Sequence, residues 1–150
     1  DLKELAKVYK GAFKKHNIFQ KDRDSIVNYL KSLKDGKVLV AKSDEILGGI
    51  VVRKADQDIK GTHVVFKYNH LAVDADYEGH GIAKDLIESA DEDIQNKIKY
   101  GEIDTAKIEV SVADEENLEL FKEVGFEVEG ELKSHYRHGE TVYILGKEFS

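Results

Sequence analysis

The sequence predicts one domain of the α/β class, α+β in type: a mixed, largely antiparallel sheet with helices on both faces. Three observations predict it. The 150 residues suit a single core. Hydrophobic residues make up 41% of the chain, enough to fill that core. The apolar spacing switches between helical and strand periods in the order α-α-β-β-β-α-β-α-β-β.

Leu2, Leu5, Ala6, Tyr9, Ala12 and Phe13 recur at three- and four-residue spacing and predict an amphipathic first helix. Asp24 is placed to cap a second, whose stripe is Ile26, Val27, Leu30 and Leu33 and which Lys34-Asp35-Gly36 ends. Val38 to Ala41 and Ile46 to Val52 read as a hairpin about Ser43-Asp44-Glu45. The polar stretch 54–62 is a loop or a longer connection, and His63 to Val73 is a long third strand. A glycine-bearing turn, Tyr77 to Ala83, opens a helix with Ile82, Leu86, Ile87, Ala90, Ile94 and Ile98 on one face. Ala106 to Val112 alternates as a strand. Asp114 then caps a short helix carrying Leu118, Phe121 and Val124, and Gly125 ends it in the left-handed conformation. Strands around Phe126 to Tyr136 and Thr141 to Phe149 close the chain, turning near Arg137-His138-Gly139-Glu140.

Composition excludes several functions. No apolar run approaches the roughly 18 residues of a membrane helix. Without cysteine there is no disulfide, thiolate zinc site or cysteine nucleophile. The 30 acidic against 23 basic residues argue against general nucleic-acid binding, which needs a basic face. They mildly favour cationic or amine-bearing partners. Proline and methionine are absent. The start given, Asp1-Leu2-Lys3-Glu4-Leu5, has no signal-peptide pattern, so the expected location is cytoplasmic.

The most informative segment is Leu71-Ala72-Val73, a turn, then Gly79-His80-Gly81-Ile82-Ala83 opening a helix. Unpaired amides at a helix N-terminus carry the positive end of the helix dipole, and glycines let an anion approach them; such a turn can hold a pyrophosphate. A dinucleotide fingerprint would need glycine where Lys84 stands, and a Walker loop needs Gly-Lys-Ser/Thr, which does not occur. The plain alternative is a strand-to-helix turn using glycine for its dihedrals alone. His135, His138 and Glu140 invite a zinc reading but are too few for a tetrahedral site, so no metal is expected. The acidic run Asp91-Glu92-Asp93 reads as a solvated helix face.

Across nearly its whole length the chain resembles the GNAT superfamily of acyl-CoA-dependent N-acetyltransferases. His70-Leu71-Ala72-Val73 followed by Gly81-Ile82-Ala83 matches the strand and the Gly-x-Gly/Ala of that family's Arg/Gln-x-x-Gly-x-Gly/Ala signature. Phe121-Lys122-Glu123-Val124-Gly125-Phe126 stands where the family has Tyr-x-x-x-Gly-Phe. The two leading helices and closing strands also match. The family's first strand is missing before the first helix, as a trimmed N-terminus would leave it.

The resemblance implies a GNAT-like fold with strands splayed at a CoA cleft, and acetyl-CoA as co-substrate. It implies that the pantetheine arm pairs with the main chain of Leu71 and Val73, with Ala72 between them. The pyrophosphate is then expected on the Gly79 to Lys84 amides: Gly79, His80, Gly81, Ile82, Ala83 and Lys84. A backbone N–H near Leu71 would polarise the thioester carbonyl. A neutral amine attacks directly, with a base to deprotonate it and an acid for the thiolate.

Two residues depart from the family. Glu78 stands at the Arg/Gln position beside the pyrophosphate. Phe121 stands where a tyrosine often protonates the thiolate, and reads as a core residue beside the pantetheine channel. Tyr136 and Tyr143 on the closing strands are substitute acids, or simply aromatic strand residues. His70 is a candidate base acting through water, or an ordinary hydrogen-bonded strand histidine. Tyr68 and Asn69 are expected to line the acceptor pocket. Asn117 lies next to a CoA-contacting position of the family, which aligns with Glu116, or serves its own helix's first turn. The expected activity is acetyl transfer to an amine: a protein N-terminus, a lysine, a polyamine or another small amine. The alternative is a catalytically weak acyl-CoA-binding or sensor module, and beyond it a purely structural domain. Pairing into a homodimer fits the family; nucleic acid and membranes are not expected partners.

Overall fold

The structure is a computed structural model that describes residues 2–12, 22–32, 36–42, 45–79 and 81–150. The elements run α1 (Leu2–Ala12), α2 (Arg23–Ser32), β1 (Gly36–Lys42), β2 (Ile46–Gln57), β3 (His63–Val73), α3 (Ile82–Lys99), β4 (Thr105–Val112), α4 (Glu115–Glu123), β5 (Glu127–Lys133) and β6 (Thr141–Phe149). Six strands form one sheet in the order β1-β2-β3-β4-β6-β5. The β1–β2, β4–β6 and β5–β6 ladders are antiparallel, whereas β3 pairs with β4 in parallel and α3 lies in that crossover. The predicted element order and mixed sheet are therefore those of the protein.

The chain divides into two compact units. The first comprises Asp1–Arg53 and His70–Ala90. Its core buries Leu5, Ala6, Val8 and Tyr9 of α1, Ile26, Val27 and Leu30 of α2, Ile46 and Val51 of β2, and Ala72 of β3. The predicted stripes supply this core; Phe13 and Leu33 lie outside the described residues, as do Lys34, Asp35, Ser43 and Asp44. The cap of α2 differs from expectation. Asp22, not Asp24, precedes the helix, and its Oδ1 accepts from the Ser25 amide at 2.8 Å. In β2, a Cβ on Gly48 would stand 2.6 Å from the Ala72 carbonyl oxygen, so only glycine allows that approach.

The second unit comprises Lys54–Asn69 and Asp91–Ser150. β2 extends to Gln57, which shortens the predicted connection to 58–62. There Asp58 accepts from the Thr62 amide at 2.7 Å, from the Thr62 hydroxyl and from the His63 amide, closing the hairpin. These hydrogen bonds hold the Asp58 carboxyl below its ordinary pKa. Alternate residues Val64, Phe66 and Tyr68 of β3, and Ala106, Ile108, Val110 and Val112 of β4, are buried.

α4 shows how a local motif positions an aromatic residue. Asp114 caps it, accepting from the Asn117 amide at 2.8 Å. At its other end Gly125 has φ +98°, the Phe126 amide donates to the Phe121 carbonyl at 3.0 Å, and the Gly125 amide to Lys122 at 3.1 Å. That is a Schellman motif. Its usual apolar contact is the edge-on pair Phe121–Phe126, with ring centroids 5.2 Å apart.

β5 ends at Lys133 rather than Tyr136. Ser134, at φ +51°, takes the chain off the ladder into a turn through Gly139, whose amide donates to the Ser134 hydroxyl at 2.9 Å.

Candidate functional site

The candidate anion seat belongs to the first unit. After Val73, the Asp74 amide donates to the Leu47 carbonyl at 2.7 Å, anchoring the exit of β3. The Asp74 carboxylate caps a single 3-10 turn over Ala75–Tyr77, accepting from the Asp76 amide at 3.0 Å. Gly79 and Gly81 then take φ +83° and +81°, and open space surrounds the position a Cβ would occupy at each. Gly81 precedes α3 and accepts from the Asp85 amide, so the amides of Ile82, Ala83 and Lys84 fall in the first turn, where none has a partner within the helix. A backbone this open, at a helix start, fits a diphosphate group. Glu78 is exposed, and the Lys84 side chain, half exposed, stands 3.9 Å from Glu88. His80 lies outside the described residues.

His70 stands where β3 enters this unit, and it is left-handed, with φ +54°. A non-glycine residue there costs energy and breaks the regular pleat. Its Nε2 lies 2.9 Å from the Tyr29 hydroxyl of α2. Two rings meet the imidazole edge-on: Tyr29 at 5.7 Å and Tyr9 of α1 at 6.2 Å between centroids. Burial raises the Tyr29 phenol above its usual pKa, partly countered by the Arg53 charge; burial raises Tyr9 further. His70 is thus a hydrogen-bonded histidine, as its plain reading expects. Tyr29 was not among the sequence candidates. Nothing in the run of 40 intervening positions links it to His70.

In the second unit the β3–β4 ladder runs from His63↔Thr105 to Tyr68↔Val110 and stops there, although β3 continues to Val73 and β4 to Val112. At that stop lies a cavity of about 60 Å³, lined by Lys67, Tyr68, Asn69, Glu109, Val110, Ser111 and Ile144. Tyr68 and Asn69, expected at an acceptor pocket, both border it. The Tyr68 ring points the other way. It is 2% exposed, and its hydroxyl donates to Asp91 at 2.6 Å.

Asp91 corrects the expectation of a solvated acidic face: it is buried, and it also pairs with Lys147 of β6. Lys147 donates in addition to the Val124 carbonyl at the end of α4. Helix spacing decides the outcome. Asp91 follows Ala90 and precedes Ile94 on the buried stripe, whereas Glu92 is exposed.

The remaining candidates are dispersed. Phe121 is 2% exposed in the core. Asn117 binds Asp114 through its amide and, at 3.1 Å, through Nδ2, so it serves the first turn of α4. Tyr143, half-buried in β6, lies opposite Val112. Tyr136, expected on a closing strand, lies instead in the exposed turn against His135, because β5 ends at Lys133. Glu140 of that turn pairs with Arg137 at 2.9 Å, and among the described residues no three His, Asp or Glu converge as a metal site. Among them too, no helix is long and apolar enough to cross a membrane.

Residues 34–128, more than half of the chain, match the family described as an acetyltransferase (GNAT) domain. The chain belongs to the GNAT acetyltransferase family. It is by membership an acetyl-CoA-dependent acetyltransferase. No curated protein matches it in sequence. Among solved structures, ribosomal-protein-alanine N-acetyltransferase from Brucella melitensis superposes with TM-score 0.74 at 17% identity, covering 99% of this chain and 94% of that one. An aminoglycoside 6'-N-acetyltransferase complexed with coenzyme A gives 0.72 at 12%, covering 98% and 89%. The ribosomal-protein-S18-alanine N-acetyltransferase of Escherichia coli gives 0.71 at 14%, covering 100% and 88%. At these identities the likeness is one of fold. Within this GNAT domain the glycine turn is open to solvent at both glycines.

Proposed function

We propose that this GNAT domain moves an acetyl group from acetyl-CoA directly to a primary amine, on a small molecule or on a protein or peptide. The observation that carries the reading is the course of β3. It leaves its parallel ladder at Tyr68, turns left-handed at His70, and runs through Leu71–Val73 to an open glycine turn at the head of α3. Backbone released from a ladder keeps donors and acceptors for an extended ligand, as an added strand would use them. Leu71, Ala72 and Val73 would pair with the pantetheine arm. The amides of Gly79 to Lys84, His80 included, would hold the pyrophosphate. A backbone N–H near Leu71 would polarise the thioester carbonyl where negative charge develops.

His70 would take the proton from the acceptor nitrogen. With no hydroxyl on Phe121, the thiolate would be protonated by solvent or by Tyr136 or Tyr143. The net charge of −7 mildly favours cationic small molecules as acceptors over basic-patch targets. Cytoplasmic action and pairing of two copies belong to the same reading.

Calorimetry with CoA, followed by thiol release from acetyl-CoA against spermidine, an aminoglycoside and an alanine-terminated peptide, tests the proposal. Binding and release with at least one amine are expected; absence of CoA binding would overturn it. Phe121 favours a second reading, a weak acyl-CoA-binding or sensor module, for which binding without release on any amine is the expected outcome.

A further inference from the structure

We infer that Tyr29 is a positioning residue for His70: its hydroxyl sets the rotation and tautomer of the imidazole that handles the acceptor's proton. The inference rests on the proposed role of His70 and adds to it a residue from a different element. The hydrogen bond spans α2 and β3, at 2.9 Å in a half-buried setting. The Tyr29 and Tyr9 rings, both edge-on to the imidazole, restrict its plane from two helices. Such an arrangement over-determines one orientation at a residue whose backbone is already held left-handed.

A neutral imidazole has one donor and one acceptor nitrogen, and the bond made at one decides the role of the other. A phenol hydroxyl can donate or accept, so the role assigned to His70 sets the direction: Nε2–H donates to the Tyr29 oxygen, and Nδ1 is left unprotonated to take the acceptor's proton. Among the described residues, the charged and titratable groups around the pair include Tyr9 from α1, Tyr29 itself from α2, and Arg53 of β2, whose charge acts on Tyr29. A phenol is already protonated at neutral pH and burial raises this one further, so it remains a hydrogen-bonding hydroxyl throughout the working range.

In the reaction, the amine lone pair forms the new C–N bond to the acetyl carbon, and the C–S bond breaks with its electron pair on sulfur. The proton given up by nitrogen passes to His70 and then through solvent to the thiolate. A ring free to rotate or to exchange tautomers would spend part of its time in the wrong state, lowering kcat without weakening acetyl-CoA binding.

The test is Tyr29→Phe in the full chain with histidine labelled by nitrogen-15. His70→Asn serves to assign the resonances, because asparagine tolerates positive φ. Wild type is expected to show one His70 tautomer, and Tyr29→Phe to move both ring nitrogens toward exchange-averaged positions. With spermidine or the alanine-terminated peptide, kcat is expected to fall about tenfold with a displaced acidic limb and unchanged KM for acetyl-CoA. Unchanged ring-nitrogen shifts overturn the inference, as does an unchanged kcat and pH profile in an active enzyme. Wild-type protein without any transfer would instead count against the proposed function, and the nitrogen spectra would still decide whether Tyr29 sets the tautomer.

Discussion

The Tyr68 hydroxyl donates to the Asp91 carboxylate at 2.6 Å inside the second unit, and Lys147 holds the other oxygen of the same carboxylate. Three elements, β3, α3 and β6, thereby share one buried anion. Removing a single partner leaves a buried charge uncompensated, at about 3–5 kcal/mol. Asp91→Ala is therefore expected to lower the urea midpoint sharply. Asp91→Leu combined with Lys147→Met should recover much of the loss, because the double change removes both charges; additive losses would contradict the pairing.

The same tyrosine makes the fold sensitive to alkali. Burial first, then the Asp91 charge, raises the Tyr68 pKa well above its unfolded value near 10. Above that value the unfolded chain releases a proton that the folded chain retains, so stability falls as pH rises, by about 1.4 kcal/mol per pH unit. Below it the contribution is fully present. Denaturant midpoints measured from pH 8 to 11.5 should decline above 10, and Tyr68→Phe should flatten the decline.

Gly48→Ala is expected to destabilise the first unit. The added methyl would stand 2.6 Å from the Ala72 carbonyl oxygen, which is backbone and cannot swing aside. Overpacking of this kind costs about 1–3 kcal/mol. A thermal-unfolding midpoint equal to wild type would show that the two strands separate more easily than this contact implies.

Glu78→Gln is expected to tighten CoA binding about two- to fivefold. The carboxylate is exposed beside the glycine turn, so its repulsion of a pyrophosphate is screened and modest, and the gain should shrink at high salt. Calorimetry at two ionic strengths measures both. Equal or weaker affinity for the variant would place Glu78 away from the diphosphate.

Gly81→Ala is expected to weaken CoA binding about tenfold. At φ +81° a side chain is strained, and relief of that strain would move the amides that open α3. Calorimetry checks it against Lys84→Ala, whose exposed side chain already faces Glu88 and whose loss should matter less.

The features legible along the chain are local in origin. Asp114, Gly125 and Phe126 specify α4 through a cap and a Schellman motif, because each interaction spans fewer than six residues. Apolar spacing specified the stripes of α1 and α2 and the alternation of β3 and β4, because core-facing side chains repeat with the period of the backbone. The glycines at 79 and 81 announced a turn that only they can adopt without strain.

Tertiary structure decided the rest. Asp91 sits within a run of three acids that reads as solvent-facing, and only the arrival of Tyr68 and Lys147 from distant strands makes its burial tolerable. Asp22 displaced Asp24 as a cap because both precede the same stripe, and only the backbone decides which one the chain leaves outside the helix. The Tyr29–His70 bond joins residues whose neighbours in sequence carry no trace of each other. A hydrogen bond between two elements depends on where each element ends up, which residue spacing along a single element does not encode.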